Sequence, residues 1–375
     1  MPKTGTTFLQ RLLRRNAALL REHGVLYPGP GPAAQFHAAI EVRKMYDYWG
    51  APAERIDGTW ERLCGEARAF RGTSILGHEI LAAARPAQIE RVAADLSDVD
   101  LHVVVTVRDL GRQIPAWWQE WVKNGSDAGF AEVMGRRVLP EWDAEEKRSP
   151  FWRSQDLVDV LRRWGAAVPP KRTHVVISPP PGAGPQELWH RFGDAVGIPR
   201  GLEVDPGPPS NESLGVTEIA LLRATNRALD GRLVQPHYGP VVKHWLSQEV
   251  LSPRSSPRPM LPSDWHDRVE SLTARWLRHL EESGVHVHGS LEDLHPVLAE
   301  PDVPAPDDVA AEDLAGLAPR AVADMLLEVS RLRQELAAAR QRERAAAAPK
   351  RLLAPVLRGG ARVRRVARRA GRRTR

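Results

Sequence analysis

The sequence predicts an α/β fold, a parallel sheet flanked by helices, with a helical C-terminal extension. Residues 101–107 (LHVVVTV) and 173–178 (THVVIS) are β-branched and nearly continuous in apolar character, the pattern of parallel strands covered on both faces. Each is followed by a stretch of helical periodicity, and strands that alternate with helices argue for parallel pairing. Beyond Pro206 the periodicity is almost entirely helical.

In chain order, Phe8, Leu9, Leu12, Leu13, Leu19 and Leu20 give a broken helical stripe that Gly24 stops. Residues 73–77 (TSILG) read as a short buried strand and 86–96 as a helix. The strand at 101–107 leads directly into a helix over 112–122. Three prolines end the strand at 173–178, and a helix covers 186–196. Further helices are expected at 216–229, 241–250 and 265–282, and one more strand at 284–288. These elements make one domain, residues 1–300. Pro and Asp crowd residues 300–310 (EPDVPAPDDVA), so 301–317 reads as a linker. Val322, Met325, Val329, Leu332, Leu336 and Ala339 then follow alternating three- and four-residue steps. That is a short heptad seam on a helix over 318–347, suited either to a homo-oligomer through 322–339 or to packing on the body. Residues 348–375 read as a disordered basic tail.

The 375 residues carry 53 Lys and Arg against 47 Asp and Glu, a net charge of +6. Eleven of those cations and no acid fall in 350–375, so the remainder stands at −5 and the basicity belongs to the tail. This disfavours nucleic acid as a partner of the body. Leu352, Leu353, Val356, Leu357, Val363 and Val366 lie among the tail's arginines, a composition that suits an anionic membrane surface. The single Cys64 excludes a disulfide framework within the chain and a cysteine-built zinc site. No apolar run reaches the ~18 residues of a membrane span, and MPKTGTTFLQ lacks the order of a secretion signal. The expected location is the cytoplasm, peripheral to the inner face of the membrane if the tail binds there.

Chemistry concentrates at the start. Pro2, Lys3, Thr4, Gly5, Thr6 and Thr7 form a small-residue turn that opens a helix. Such a turn aims backbone N–H groups and the positive end of the helix dipole at one spot, a place for phosphate or sulfate. Lys3 is one of only seven lysines in the chain. The spacing is not GxxxxGK[ST] and no magnesium site can be traced, which disfavours an ATPase or kinase. A second element, Val103, Val104, Val105, Thr106, Val107, Arg108 and Asp109, is a strand that ends in Arg where a helix starts.

Together these two elements resemble the sulfotransferases that use 3′-phosphoadenosine 5′-phosphosulfate, whose first loop reads PKxGTT just after the first strand. GHEIL (77–81), TVRDLGRQIPAWWQEWVKNG (106–125), VVISPPPGAGPQELWHRF (175–192), NESLGVTE (211–218) and HGSLEDLHP (288–296) are similar to a largely actinobacterial group of that family, so the resemblance covers about residues 1–300. It implies a P-loop-like parallel sheet, a donor held by Lys3, Thr4, Gly5, Thr6, Thr7 and Arg108, no metal, and sulfuryl transfer to a hydroxyl of a glycan, lipid-linked sugar or small molecule. Arg108 would bind the 3′-phosphate. Where the family places a Ser that helps it, this chain has Ala116.

Such a transfer needs a donor held by its phosphates, a base for the acceptor's proton and a cation on the leaving oxygen. Lys3 is the candidate cation. His78 and Glu79 are equal candidates for the base: a His can accept a proton near neutral pH unaided, whereas a Glu needs tight geometry or a raised pKa. Whichever is not the base is expected to cap the helix that follows. In the family the loop follows a central strand, whereas only Met1 precedes Pro2 here, so the first strand is missing and a start further upstream is expected. That gap and Ala116 support a rival reading, a catalytically degenerate scaffold or membrane-associated interaction protein.

The remaining candidates have plainer readings. Lys123 reads as a solvated helix-end cation, Trp117, Trp118 and Trp121 as core packing, and Asn211 and Ser213 as a helix cap. His286, His288 and His295 invite zinc, but Val285 and Val287 alternate with the first two as in a half-exposed strand.

Overall fold

The computed structural model describes residues 1–144, 149–184, 186–207, 213–253, 256–300 and 303–347. The chain divides into two compact units, Met1–Ala318 and Pro319–Arg375. The basic tail and Asn211 lie outside the described residues. The first unit is α/β. Among the described residues no helix is long and apolar enough to cross a membrane.

Among the described residues five strands form two parallel sheets. β1 (Val25–Leu26) pairs with β2 (Thr73–Ser74), while β3 (Val103–Val107), β4 (Thr173–Ile177) and β5 (His286–His288) form a sheet in that order. Val103 lies opposite Thr173 and Val107 opposite Ile177, so the two strongest strand signals of the sequence are neighbours in register. The helices that position the site are α1 (Thr6–Arg15), α2 (Pro86–Asp95), α3 (Leu110–Lys123), α4 (Gln186–Val196), α5 (Val216–Leu229) and α6 (His266–Glu282). Leu9, Leu12 and Leu13 of α1 join Leu188, Trp189 and Phe192 of α4 and Val176 of β4 in one buried cluster. Complete burial of each such leucine stabilises the fold by ~2 kcal/mol, which fixes the start of the chain over the sheet.

The broken stripe ahead of Gly24 appears as α1, which ends at Arg15, and a short helical stretch over Ala17–Glu22. At the break the Asn16 side chain turns to Asp205: its amide donates to Leu12 O and Asp205 O, and its Oδ1 accepts from Asp205 N at 2.8 Å. Three elements differ from expectation, each for a local reason. β2 covers two residues of the expected five. Its partner strand β1 runs into Tyr27 and Pro28, the latter without an N–H, and the Gly77 N–H is spent on Gln35 Oε1. Residues Gly239–Leu251 wind as a π-helix, with Ser247 Oγ donating to Val242 O five residues back. The last helix, α7 (Ala311–Ala347), begins inside the expected linker, its first turn carrying Glu312 and Asp313 as the helix dipole favours. Asp307, just before it, is bonded to the body: it accepts from the N–H groups of Phe130 and Ala131 at 2.9 Å and pairs with Arg223 at 2.7 Å.

α3 starts where β3 ends. The Asp109 side chain accepts from Arg112 N at 3.0 Å, a helix cap, and also from Val297 N at 3.3 Å. Gly111 permits this approach, since a Cβ there would sit 2.2 Å from Val297 O. Trp118 is fully buried on the inner face of α3 with its indole N–H donated to Ala128 O, and Trp117 meets Phe151 edge to face at 4.8 Å.

Across the outer end of the larger sheet runs a row of histidines. Asp100 accepts from His102 Nε2 (3.3 Å), which leaves His102 Nδ1 to accept from His174 Nε2 (3.0 Å) and His174 Nδ1 to accept from His288 Nε2 (3.1 Å). The relay requires neutral rings. Burial pushes the His174 imidazole from its ordinary 6.5 down to about 4, and the neighbouring histidines push the same way. Among the described residues no group of three or more His, Cys, Asp or Glu is placed to hold a metal.

His174 is therefore uncharged in the folded chain while its unfolded counterpart protonates below pH 6.5, so stability should fall steadily from pH 6.5 to about 4. Urea unfolding midpoints across that window measure it. His174→Thr should flatten the slope, and a midpoint independent of pH in the unaltered chain would contradict the relay.

Candidate functional site

The loop before α1 is held at both ends. Thr4 is buried, and its hydroxyl donates to Met1 O at 2.6 Å and shares a hydrogen bond with the Thr106 hydroxyl on β3. Ser178, just past β4, donates from Oγ to Thr4 O at 2.9 Å. The Thr4 side chain thus serves the loop's anchorage. Lys3 is in the left-handed region at φ 65°, a conformation that non-glycine residues adopt at a cost and that concentrates at functional sites. Gly5, at φ 90°, is the residue before α1, and a Cβ there would lie 2.3 Å from Leu188 Cδ2. The first turn of α1 has no acidic residue and no side-chain cap. Thr6 and Thr7 make no side-chain hydrogen bond among the described residues; Thr6 is half-buried and Thr7 exposed. Backbone donors, two hydroxyls and the helix dipole are all available to an anion.

Lys3 points at a carboxylate that the sequence reading did not single out. Its Nζ lies 3.1 Å from Glu120 Oε2 on α3, while Lys243 Nζ, from the π-helix, lies 2.6 Å from Glu120 Oε1 and 3.1 Å from Asn124 Oδ1. Burial pushes the Glu120 carboxyl up, but Lys3, Lys243 and Lys123 together outweigh it and hold the group far below the usual carboxylate range. Lys123 itself is 2% exposed, so the expectation of a solvated helix-end cation is wrong: it is part of the charged interior beside Glu120. The rarity of lysine was the one available signal, since three of the chain's seven converge here.

Arg108 completes the other side of the loop, its Nη1 donating to Lys3 O at 3.4 Å. The neighbouring Asp109 is engaged by Arg112, through both its guanidinium and its backbone N–H, and does not pair with Arg108. Among the described residues Arg108 has no carboxylate partner. Burial, joined by the positive charges of Arg112 and Arg258 and opposed by Asp109, lowers its pKa to about 10. A partly buried guanidinium pressed by two others, with no counterion, is a place where an anion is favoured. Arg258 belongs to this cluster and was not foreseen. It lies in an irregular segment with no periodicity to mark it.

His78 and Glu79 are side by side, with Nε2 3.5 Å from Oε2. The 3₁₀ turn Glu79–Ala83 follows, and His78 Nδ1 accepts from Ile80 N at 3.4 Å as its cap. Glu79 Oε2 accepts from Gln10 Nε2 of α1 at 2.9 Å, which ties the pair to the helix that the loop opens. Burial depresses the His78 pKa, opposed by Glu79 and reinforced by Lys243, so the ring is neutral near pH 7. With Nδ1 accepting, the proton sits on Nε2 and faces Glu79. Burial raises the Glu79 pKa, but His78, the residue's own backbone N–H and the Gln10 amide outweigh it and keep the carboxyl ionised. Of the two, only Glu79 retains lone pairs for an incoming proton.

Ser213 does not cap α5, whose preceding residue is Gly215 with no side-chain cap. Lys3, Gly5, Thr6, Thr7 and Arg108 are brought together around one loop, and His78 and Glu79 are joined to it through Gln10 and through the charge of Lys243. A hollow lined by Asn124, Gly125, Asn226 and Tyr238 opens one turn beyond Glu120 and not over the loop itself. No family model, no curated protein and no solved structure matches the chain.

Glu120 occupies the two lysines that an anion at the loop would use. Glu120→Gln should therefore lower stability by ~1–3 kcal/mol, the range for removing one partner of a partly buried charged bond. It should also increase the rise in melting temperature that added sulfate produces. Thermal unfolding in a sulfate series measures both, and equal sulfate responses in the two proteins would show that Glu120 does not compete with anions.

Proposed function

We propose that the chain is a sulfotransferase that moves a sulfuryl group from 3′-phosphoadenosine 5′-phosphosulfate to the hydroxyl of a glycan, lipid-linked sugar or small molecule. The observation that carries this reading is the Arg108 guanidinium, without a carboxylate partner among the described residues, beside a helix-opening loop whose own donors have no side-chain cap. That arrangement offers two anion positions on one edge of a parallel sheet, as a nucleotide with both a 3′-phosphate and a 5′-phosphosulfate demands. Bound there, the donor would supply an activated sulfuryl group. The loop amides of Gly5, Thr6 and Thr7 and their hydroxyls hold the 5′ end, and Arg108 holds the 3′-phosphate. Arg258 stands close enough to act on Arg108 electrostatically, and supplies the help that Ala116 cannot give.

The acceptor's proton goes to Glu79, which is ionised and has free lone pairs, while neutral His78 orients it from Nε2. Lys3 releases Glu120 and meets the oxygen on which negative charge collects as the S–O bond breaks. No metal enters this scheme, and the local charge comes from lysine and arginine.

Isothermal titration of the chain with adenosine 3′,5′-bisphosphate tests the reading: binding is expected, and no binding would remove it. Arg108→Ala should weaken that binding at least tenfold, ~1.4 kcal/mol. Lys3→Ala and Glu79→Gln should abolish transfer of labelled sulfate while leaving most of the affinity. Full transfer by Lys3→Ala would refute its role, and transfer lost in His78→Asn but kept in Glu79→Gln would exchange the two roles.

A further inference from the structure

The second unit carries an apolar face for which the larger unit's chemistry has no use. Within α7, Val322, Met325, Val329, Leu332 and Leu336 are each 44–52% exposed, spaced three and four residues apart on one side of the helix. Five large apolar side chains in a row along a helix are costly to leave in water, and a seam of this period is what a second helix covers. With Val322 at the first core position of a heptad, the core positions read Val322, Met325, Val329, Leu332, Leu336 and Ala339. β-branched residues precede leucine or methionine in the first two pairs, the order that favours two parallel strands.

The flanking charges say which partner fits. Glu328 and Glu335 fall at the position just before each core pair, and Arg333 and Arg340 at the position just after. In a parallel pair of identical helices the first of these positions on one chain faces the second on the other, five residues further along. Glu328 then meets Arg333 of a second copy, and Glu335 meets Arg340, twice over by symmetry. In an antiparallel pair the same residues would place glutamate against glutamate and arginine against arginine. Within one chain Glu328 and Glu335 share Arg331, whereas Arg333 and Arg340 make no ion pair among the described residues. Leu326 sits beside the seam and widens it. Leu327 lies on the far side, and nothing in the structure explains its exposure.

We infer that residues 322–340 form a parallel two-stranded coiled coil with a second copy of this chain. The seam is ~27 Å long at 1.5 Å per residue, so the association is of modest affinity and reversible. It is independent of the chemistry proposed for the larger unit.

Sedimentation velocity on the full chain at micromolar concentration should show a monomer–dimer equilibrium. Leu332→Glu should shift it at least tenfold toward monomer with the far-ultraviolet circular dichroism of the larger unit's fold kept. Glu328→Arg with Glu335→Arg, and separately Arg333→Glu with Arg340→Glu, should each be monomeric alone and form a mixed dimer when combined. Val322→Cys should cross-link to itself on oxidation, because parallel strands place that residue opposite its own copy. Cys64 does not interfere, being buried with a thiol pushed up to about 11 by burial. A monomer at all accessible concentrations, a dimer that survives Leu332→Glu, swapped-charge chains that do not mix, or absence of the Val322→Cys cross-link would each overturn the assignment.

Discussion

Thr4 is the pivot of the larger unit's site. Its hydroxyl is tied to Thr106 on β3 and its carbonyl to Ser178 beyond β4, so the five residues ahead of α1, with no helix or strand of their own, are fastened to the carboxyl ends of two neighbouring parallel strands. The carboxyl edge of a parallel sheet is where α/β proteins gather their ligands, because the loops there can vary while the strands hold still. From Thr4 the rest follows in both directions along the chain. Lys3 is driven into a left-handed conformation whose carbonyl receives Arg108, and Gly5 passes so close to Leu188 that no side chain fits. The cluster of Leu9, Leu12 and Leu13 with α4 then keeps the helix from swinging away from the loop that opens it.

Two charged systems lean on this frame and differ in how they are balanced. Around Glu120 the cations have a resident anion. Among the described residues Arg108 itself has no carboxylate partner, Asp109 being taken by Arg112, and the guanidinium is depressed by its surroundings. The His78 and Glu79 pair is different again: burial settles the charge of the ring and hydrogen-bond direction its tautomer, since a backbone N–H claims one ring nitrogen and thereby aims the remaining proton at the carboxylate. Lys243 touches two of these systems, contacting Glu120 directly and reaching His78 through its field, and it comes from the π-wound segment. Single π turns recur at functional positions because they re-aim side chains within a helix.

Much of this was legible in the sequence where the signal is local. The runs at 101–107 and 173–178 are strands because β-branched residues suit a surface covered on both sides, and 216–229 is a helix with the expected bounds. Arg108 at a strand end and the small-residue turn at 2–7 announced themselves by type and place. What escaped was set by partners distant in sequence. Val25 and Leu26 are too few to show alternation, and they become a strand only by pairing with Thr73 and Ser74. Glu120 looked like one polar residue among tryptophans on α3, and its meaning comes from Lys3 and Lys243, which lie more than a hundred residues away on either side. Thr4 matched a motif by identity, yet its side chain is spent on anchoring. A motif gives residue types at a spacing, and the direction each side chain takes is decided by what it packs on.

The carboxylate of Glu120 gives the loop a threshold. An anion that arrives must replace, for each lysine it takes, an ion pair already formed at 3.1 or 2.6 Å. A monovalent ion such as chloride offers one charge and no directed acceptors, and gains little by the exchange. A group with several oxygens and more than one charge can satisfy both ammoniums and the loop amides together. On the proposed function these ion pairs would insulate the resting site against the most abundant anions in solution and would select by valence and shape before any larger part of a ligand is read.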